Sequence, residues 1–146
     1  MEIVKFDESH VLEIAELEKL CFSDPWSVDS IRYELKNPLS YWLVAVEEDR
    51  VIGYIGSQTV LGESDVMNVC VAPEHRRKGI GDSLVQTLIS HLKSQDVYKL
   101  TLEVRVSNTP AITLYEKLGF QILGRRPNYY LHPKEDAWIM GKEWQL

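Results

Sequence analysis

Six consecutive residues, Arg76-Arg77-Lys78-Gly79-Ile80-Gly81, place three cations beside two glycines. They lie between a strand-like run, Val66 to Ala72, and an amphipathic helix-like run, Ile80 to Leu92. A strand that turns through glycines into a helix start exposes the N–H groups of the first helical turn, where the helix dipole favours negative charge. Glycine also lets a ligand approach the backbone closely. The stretch Arg76 to Asp82 is therefore a candidate anion site, and a pyrophosphate is the expected guest. Two familiar phosphate motifs do not fit it. A P-loop needs Gly-x-x-x-x-Gly-Lys-Ser/Thr, yet Asp82-Ser83 follows Gly81. A dinucleotide fingerprint needs a third glycine, where Leu84 stands.

Groups able to move protons follow further along. Glu103 lies in a run where Leu100, Leu102 and Val104 share one face and Thr101, Glu103 and Arg105 the other. That second face is either an ordinary solvated strand face or the wall of a cleft. In a cleft, burial would raise the carboxylate's pKa into a range useful for a general base. Tyr115 falls with Ala111, Leu114 and Leu118 at helical spacing. By pattern alone it is a core tyrosine with a satisfied hydroxyl. Asn108 reads as a turn or capping residue. Phe22, Trp26, Tyr129 and Tyr130 are aromatics in segments read as loops. The four histidines show no ligand spacing, and Cys21 and Cys70 form neither a disulfide scaffold nor a metal set. Cys70 reads as a small buried residue, and Cys21 has no evident histidine partner. No metal is expected.

One α/β unit spanning residues 1–146 must position these groups. Glu2 to Phe6 suits a strand, and Ser9 a cap for a helix carrying Val11, Ile14, Ala15, Leu17 and Leu20. Ser27 can cap a second helix running to Leu35. Tyr41 to Val46 and Val51 to Val60 form a hairpin around Glu48-Asp49-Arg50. Strand 64–72, helix 80–94 and strand 99–106 make a crossover, so those strands are parallel. Thr109 caps a short helix with Pro110 at its first position and Gly119 past its end. Phe120 to Gly124 and Ala137 to Lys142 close the unit. A mixed, twisted sheet of about seven strands with helices on both faces follows.

Composition narrows the setting. The 146 residues suit one domain, and their net charge of −6 points away from nucleic acid. No apolar run approaches a membrane span and no signal peptide is visible, so the cytoplasm is expected; a monomer is favoured, though the sequence does not fix the oligomeric state. Residues 1–50 hold 12 Asp and Glu against 5 Lys and Arg. The acidity is thus confined to the first third, either for solubility or as a rim for a cationic substrate.

Arg76, Gly79 and Gly81 occupy the defining positions of Arg/Gln-x-x-Gly-x-Gly/Ala, which resembles the coenzyme-A loop of the GNAT N-acetyltransferases. Leu102 to Asn108 and Leu114 to Phe120 look like paired signatures of the ribosomal-protein-alanine N-acetyltransferases within that group. Phe22-Ser23-Asp24-Pro25-Trp26-Ser27 looks like their substrate loop, and Asn128-Tyr129-Tyr130 with Glu135-Asp136-Ala137 like their C-terminal hairpin. The resemblance implies an α/β GNAT fold and transfer of acetyl from acetyl-CoA to a protein N-terminal amine, with ribosomal protein S18 as the implied target. It implies Glu103 as general base and Tyr115 as general acid. It places the pyrophosphate on Arg76, Arg77, Lys78, Gly79, Ile80, Gly81 and Asp82. The pantetheine arm falls on the backbone of Val69 and Val71 and on Asn108, and the acceptor peptide on Phe22, Trp26, Tyr129 and Tyr130. Two other readings stay open: the same chemistry on a lysine or small amine, and an acyl-CoA-binding protein without catalysis.

Overall fold

A computed structural model describes residues 1–145. The chain starts with strand β1 (Glu2–Lys5). Asp7 then builds a capping box: its carboxylate accepts the Ser9 N–H at 2.8 Å while its own N–H donates to His10 Nδ1 at 3.0 Å. This opens one 3-10 turn, Glu8–His10, which feeds helix α1 (Val11–Cys21). The expected cap at Ser9 is therefore replaced by Asp7, whose charged oxygen is the stronger acceptor for a free N–H. Along α1, Val11, Ile14, Ala15 and Leu17 are buried, whereas Leu20 is 66% exposed. At about 100° per residue, Leu20 lies opposite Val11, and the centre of the buried stripe falls on Glu18.

Ser27 caps helix α2 (Val28–Glu34) by accepting the Ser30 N–H at 3.1 Å. Strands β2 (Ser40–Glu47) and β3 (Arg50–Val60) form the expected hairpin. Its turn residues Glu48 and Asp49 both have positive φ, 51° and 63°, the twist that a tight two-residue connection requires. Strand β4 (Glu63–Val71) leads through the basic loop into helix α3 (Ile80–Ser94), which buries Ile80, Leu84, Val85, Leu88, Ile89 and Leu92. Strand β5 (Lys99–Arg105) follows. Helix α4 (Thr109–Lys117) is capped by Asn108, not by Thr109: the Asn108 Oδ1 accepts the Ala111 N–H at 3.3 Å. Asn is the better cap because its carbonyl reaches the N3 amide.

The last two strands, β6 (Gln121–Leu131) and β7 (Lys134–Glu143), are longer than expected. Tyr129 and Tyr130 therefore lie on a strand and not in a loop. Pro127 cannot donate to the ladder, and the register slips between Arg126 and Tyr130, with Asn128 at φ 53° and its N–H on Asp136 Oδ1 at 2.7 Å. This bulge interrupts the local alternation that the sequence reading relied on.

The seven strands form one mixed sheet in the order β1-β2-β3-β4-β5-β7-β6. Only β4 and β5 run parallel, as the crossover demands. Alternate residues of the central strands feed opposite cores. Leu43, Ala45 and Ile55 pack with α3 and the Tyr115 face of α4. Trp42, Val44 and Tyr54 pack with α1 and α2.

The cysteines differ from expectation. Cys21, at the end of α1, is disulfide-bonded to Cys70 of β4. The pairing arises because α1 packs across β4, a contact between residues 49 apart in sequence.

Candidate active site

The site begins where the sheet divides. β4 pairs with β5 only from Glu63↔Lys99 to Asp65↔Thr101. On its other edge, β4 carries a bulge opposite Gly56 and Ser57, where the pairing jumps from Asn68 to Val66. A bulge bends its strand, so β4 leaves β5 directly after Asp65. The Ala72 N–H bonds Ile52 O of β3 at 2.8 Å. By strand alternation the Val69 and Val71 amides face the other way, into the gap. At Val69 the N–H donates to the Asn68 side-chain oxygen at 3.1 Å, and at Val71 the carbonyl accepts from Arg76 Nε at 3.1 Å.

The basic loop sits at the mouth of this gap. Gly79 caps α3 with φ 78°, in the left-handed region, and Arg77 shares that region at 66°. The Ser83 N–H makes the first intrahelical bond, donating to Gly79 O at 3.0 Å. The N–H groups of Ile80, Gly81 and Asp82 precede that first bond and have no intrahelical acceptor. A Cβ at Gly79 would meet no atom within 4 Å, so the ground above it is open. At Gly81 a Cβ would lie 3.5 Å from Leu114 Cδ2 and 3.9 Å from Val71 Cγ2, between α4 and β4. Arg77 and Lys78 are exposed beside the loop. Arg76 is placed differently, because its guanidinium turns back to Val71 O and, at 3.6 Å, to Cys21 Sγ. Gly81→Val is expected to keep the fold, since a Cβ alone makes only ordinary contacts, but to fill the seat with branched methyls. Affinity for acetyl-CoA, the ligand the resemblance implies, should drop by about tenfold or more, roughly 1.4 kcal/mol. Calorimetry on a variant with unchanged circular dichroism reads this, and an unchanged Kd overturns the assignment.

Glu103 is half-buried just past the point of division. Burial pushes its carboxyl above the usual carboxylate range, and Asp65 adds to this. Arg126, with Nε at 3.4 Å from Glu103 Oε1, opposes both. Tyr115 projects from α4 against Phe120, ring centres 5.7 Å apart, and burial pushes its hydroxyl up to about 12. Tyr130 connects the two. Its hydroxyl is also pushed up to about 12, by burial first, then by Tyr129 and Glu103 beside it, with Tyr115 adding to the rise. The Arg105 guanidinium lies 4.2 Å over its ring and opposes the shift. Glu103 and Tyr115 both bear on Tyr130, and burial favours the protonated form of both tyrosines. Asn108 stands at the start of α4, with its side-chain oxygen committed to the cap.

The two aromatic-bearing segments meet. The Ser23 hydroxyl donates to His132 O, and Asp24 Oδ2 lies 2.9 Å from His132 Nδ1, so the 22–27 loop is tied to the β6–β7 turn. Within the loop the aromatics turn inward. Trp26 packs edge-on against Trp42 at 5.5 Å, and Phe22 lies against the same core. Tyr129, 49% exposed, stands at right angles to Tyr130 at 5.0 Å. Tyr129 and half-buried Tyr130 are therefore the more accessible aromatics of the group, whereas Phe22 and Trp26 are committed to the core.

Four residues at the site escaped the sequence reading: Glu18, Asp65, Asn68 and Arg126. Glu18 alone carried a signal, as a carboxylate at the centre of an apolar helical stripe. Among the described residues, no group of three or more His, Cys, Asp and Glu could hold a metal ion, and no helix is long and apolar enough to cross a membrane.

A family model described as the acetyltransferase (GNAT) family matches residues 11–120. A protein of Bacillus subtilis (strain 168) is 40% identical over 135 residues, covering 92% of this chain and 87% of its own. The ribosomal protein bS18-alanine N-acetyltransferase of Salmonella typhimurium is 36% identical over 127 residues, covering 86% of this chain and 85% of its own. The crystal structure of the ribosomal-protein-S18-alanine N-acetyltransferase from Escherichia coli superposes with a TM-score of 0.91 at 30% identity, covering 99% of this chain and 94% of that one.

Proposed function

The chain belongs to the acetyltransferase (GNAT) family, and from that membership we propose that it transfers acetyl from acetyl-CoA to the α-amine of a protein N-terminus. The observation that carries this reading is the gap between β4 and β5, with Glu103 just past their last pair and free helix-start amides at its mouth; we assign Tyr115, on α4, to the same gap. The donor set fits the substrate: backbone N–H groups with Arg77 and Lys78 for a pyrophosphate, and the gap-facing edge at Val69 and Val71 for an amide-bearing arm.

Glu103 takes a proton from the acceptor ammonium, directly or through a water. The neutral amine then forms a bond to the acetyl carbon. The Val69 N–H receives the charge that builds on the thioester oxygen. As the carbon–sulfur bond breaks, the Tyr115 hydroxyl gives its proton to the sulfur, and the second proton, shed by the nitrogen as it becomes an amide, restores the hydroxyl. Its high pKa keeps that proton in place at neutral pH. An α-amine titrates near ~7.7–8.0 and a lysine near ~10.4, so deprotonating the α-amine costs about 3.5 kcal/mol less. A carboxylate base of modest strength suits the α-amine.

The preferred acceptor is the N-terminal alanine of ribosomal protein S18, supported by the names of the relatives that align along nearly the whole chain. Such a substrate places the work in the cytoplasm, with residues 1–146 acting as one catalytic unit. The test uses a peptide with the S18 N-terminus and an internal lysine, offered free or N-terminally blocked, with products read by mass spectrometry. The free peptide should gain one acetyl group at its α-amine and the blocked one none. Tyr130→Ala should raise the KM for the free peptide and leave acetyl-CoA binding intact. Acetylation of the blocked peptide on lysine at a matching rate would install the lysine reading instead.

A further inference from the structure

Glu18 is 1% exposed, and three donors converge on it. The Trp26 N–H reaches Oε1 at 2.9 Å. Asn68 Nδ2 reaches Oε2 at 2.7 Å, and the Tyr54 hydroxyl donates to the same oxygen. These donors come from parts of the site with different tasks. Trp26 belongs to the acceptor loop, Tyr54 to the floor of the sheet, and Asn68 to β4 just before Val69. The other end of the Asn68 amide, Oδ1, accepts the Val69 N–H at 3.1 Å. A continuous path therefore runs from the Trp26 N–H through the Glu18 carboxylate and the Asn68 amide to the Val69 N–H.

Packing does not account for a carboxylate here. A leucine at this position would complete the α1 stripe, whereas a buried carboxylate carries a heavy desolvation cost. Burial is the leading influence on Glu18 and raises its pKa. The geometry also gives Asn68 a meaning. Its amide oxygen sits on the N–H assigned to the thioester oxygen and presents the same kind of acceptor, a carbonyl.

We propose that Glu18 is a positioning residue for acetyl transfer: one buried carboxylate fixes the acceptor loop through the Trp26 N–H and holds the Asn68 amide as a stand-in for the thioester oxygen on the Val69 N–H. The stand-in keeps that N–H satisfied and the gap open until acetyl-CoA displaces it. This inference rests on the acetyltransferase reading and on Val69 as the donor to the thioester.

Two variants of the full chain test it, with stability followed in parallel. In Glu18→Gln the side-chain amide turns N–H groups toward donors, so the Trp26 and Asn68 bonds cannot both survive. The KM for the acceptor peptide should rise about tenfold, the order expected when a charge-assisted hydrogen bond ordering a loop is lost. Asn68→Ala removes the stand-in and leaves the acceptor loop tied to Glu18. Calorimetry should then show acetyl-CoA bound about 2- to 10-fold tighter, the worth of one hydrogen bond no longer displaced. CoA, which lacks the thioester carbonyl, should bind as before. A purely structural Glu18 would lower the melting temperature and leave the acceptor KM of the folded enzyme unchanged, which overturns the proposal. Equal changes for acetyl-CoA and CoA in Asn68→Ala, or none, also overturn it, and that result decides alone if Glu18→Gln does not fold. A wild-type chain that binds acetyl-CoA but acetylates no peptide would instead defeat the acetyltransferase reading.

Discussion

Glu103→Gln is expected to lower kcat on a free-N-terminus peptide by about 10²–10⁴-fold, the usual contribution of a positioned general base. Gln keeps the shape of the side chain and its place past the end of the β4–β5 pairing, but cannot accept the amine's proton. The fold should survive, because Glu103 and its partner Arg126 are both partly exposed. A base acts only when deprotonated, and burial holds the Glu103 pKa above the ordinary carboxylate range. Wild-type kcat/KM should therefore fall as pH drops through that raised value, and fall further as the α-amine, near ~7.7–8.0, becomes fully protonated. The variant should recover partly above that range, where solution supplies a neutral amine. Tyr115→Phe should lose rate on a similar scale without gaining such a pH dependence, since a hydroxyl near 12 stays protonated throughout. Acetyl-CoA binding by calorimetry should be near wild type in both. Wild-type turnover in both variants would mean that Glu103 is an ordinary strand-face residue and Tyr115 a core tyrosine.

The largest effect on stability is expected at Gly56. It pairs across the hairpin with Trp42, whose indole lies over the bare backbone. A Cβ at Gly56 would fall 2.6 Å from Trp42 Cζ2 and nearer still to its Cε2 and Cδ2. The ring cannot yield, because Phe6, Trp26 and Tyr54 surround it at 5.6, 5.5 and 5.7 Å. Gly56→Ala should therefore cost about 3 kcal/mol or more, the upper range for overpacking a core. At roughly 2–4 °C per kcal/mol for a chain of this size, the melting temperature should fall by about 6–12 °C. Trp26 rests on Trp42 and belongs to the loop proposed to hold the acceptor, so the surviving enzyme should also show a raised peptide KM. Gly124→Ala supplies the contrast, since its Cβ would meet Ile139 Cδ1 at an ordinary 3.7 Å and leave stability nearly unchanged. Equal melting temperatures for the two variants would show that the Trp42 cluster is looser than its geometry implies.

Read by itself, the sequence determined the elements and their handedness. The apolar spacing of α3 and the short-period alternation of β5 are local properties, and each was recovered to within a residue or so. The crossover between β4 and β5 fixed their parallel pairing, because a right-handed connection leaves little alternative. The glycines of the basic loop and the outward face of Glu103 were legible for the same reason: they depend on neighbours a few residues away. Cap choices failed where two candidates stood side by side, Asp7 against Ser9 and Asn108 against Thr109, since such a contest turns on which oxygen reaches the N–H.

What tertiary structure alone decided are the relations between distant segments. The division of the sheet after Asp65 comes from a bulge formed between β3 and β4, and no periodicity marks it. The inward turn of Trp26 depends on Trp42, the strand placement of Tyr129 and Tyr130 on the slipped register opposite β7, and the bond between Cys21 and Cys70 on α1 crossing β4. Glu18 shows the boundary most plainly. Its place on an apolar stripe is local and could be read from the helical spacing. Its partners at Trp26, Tyr54 and Asn68 lie up to 50 residues away. Charge burial is settled by such long-range donors, and a one-dimensional pattern holds no record of which donors the fold brings together.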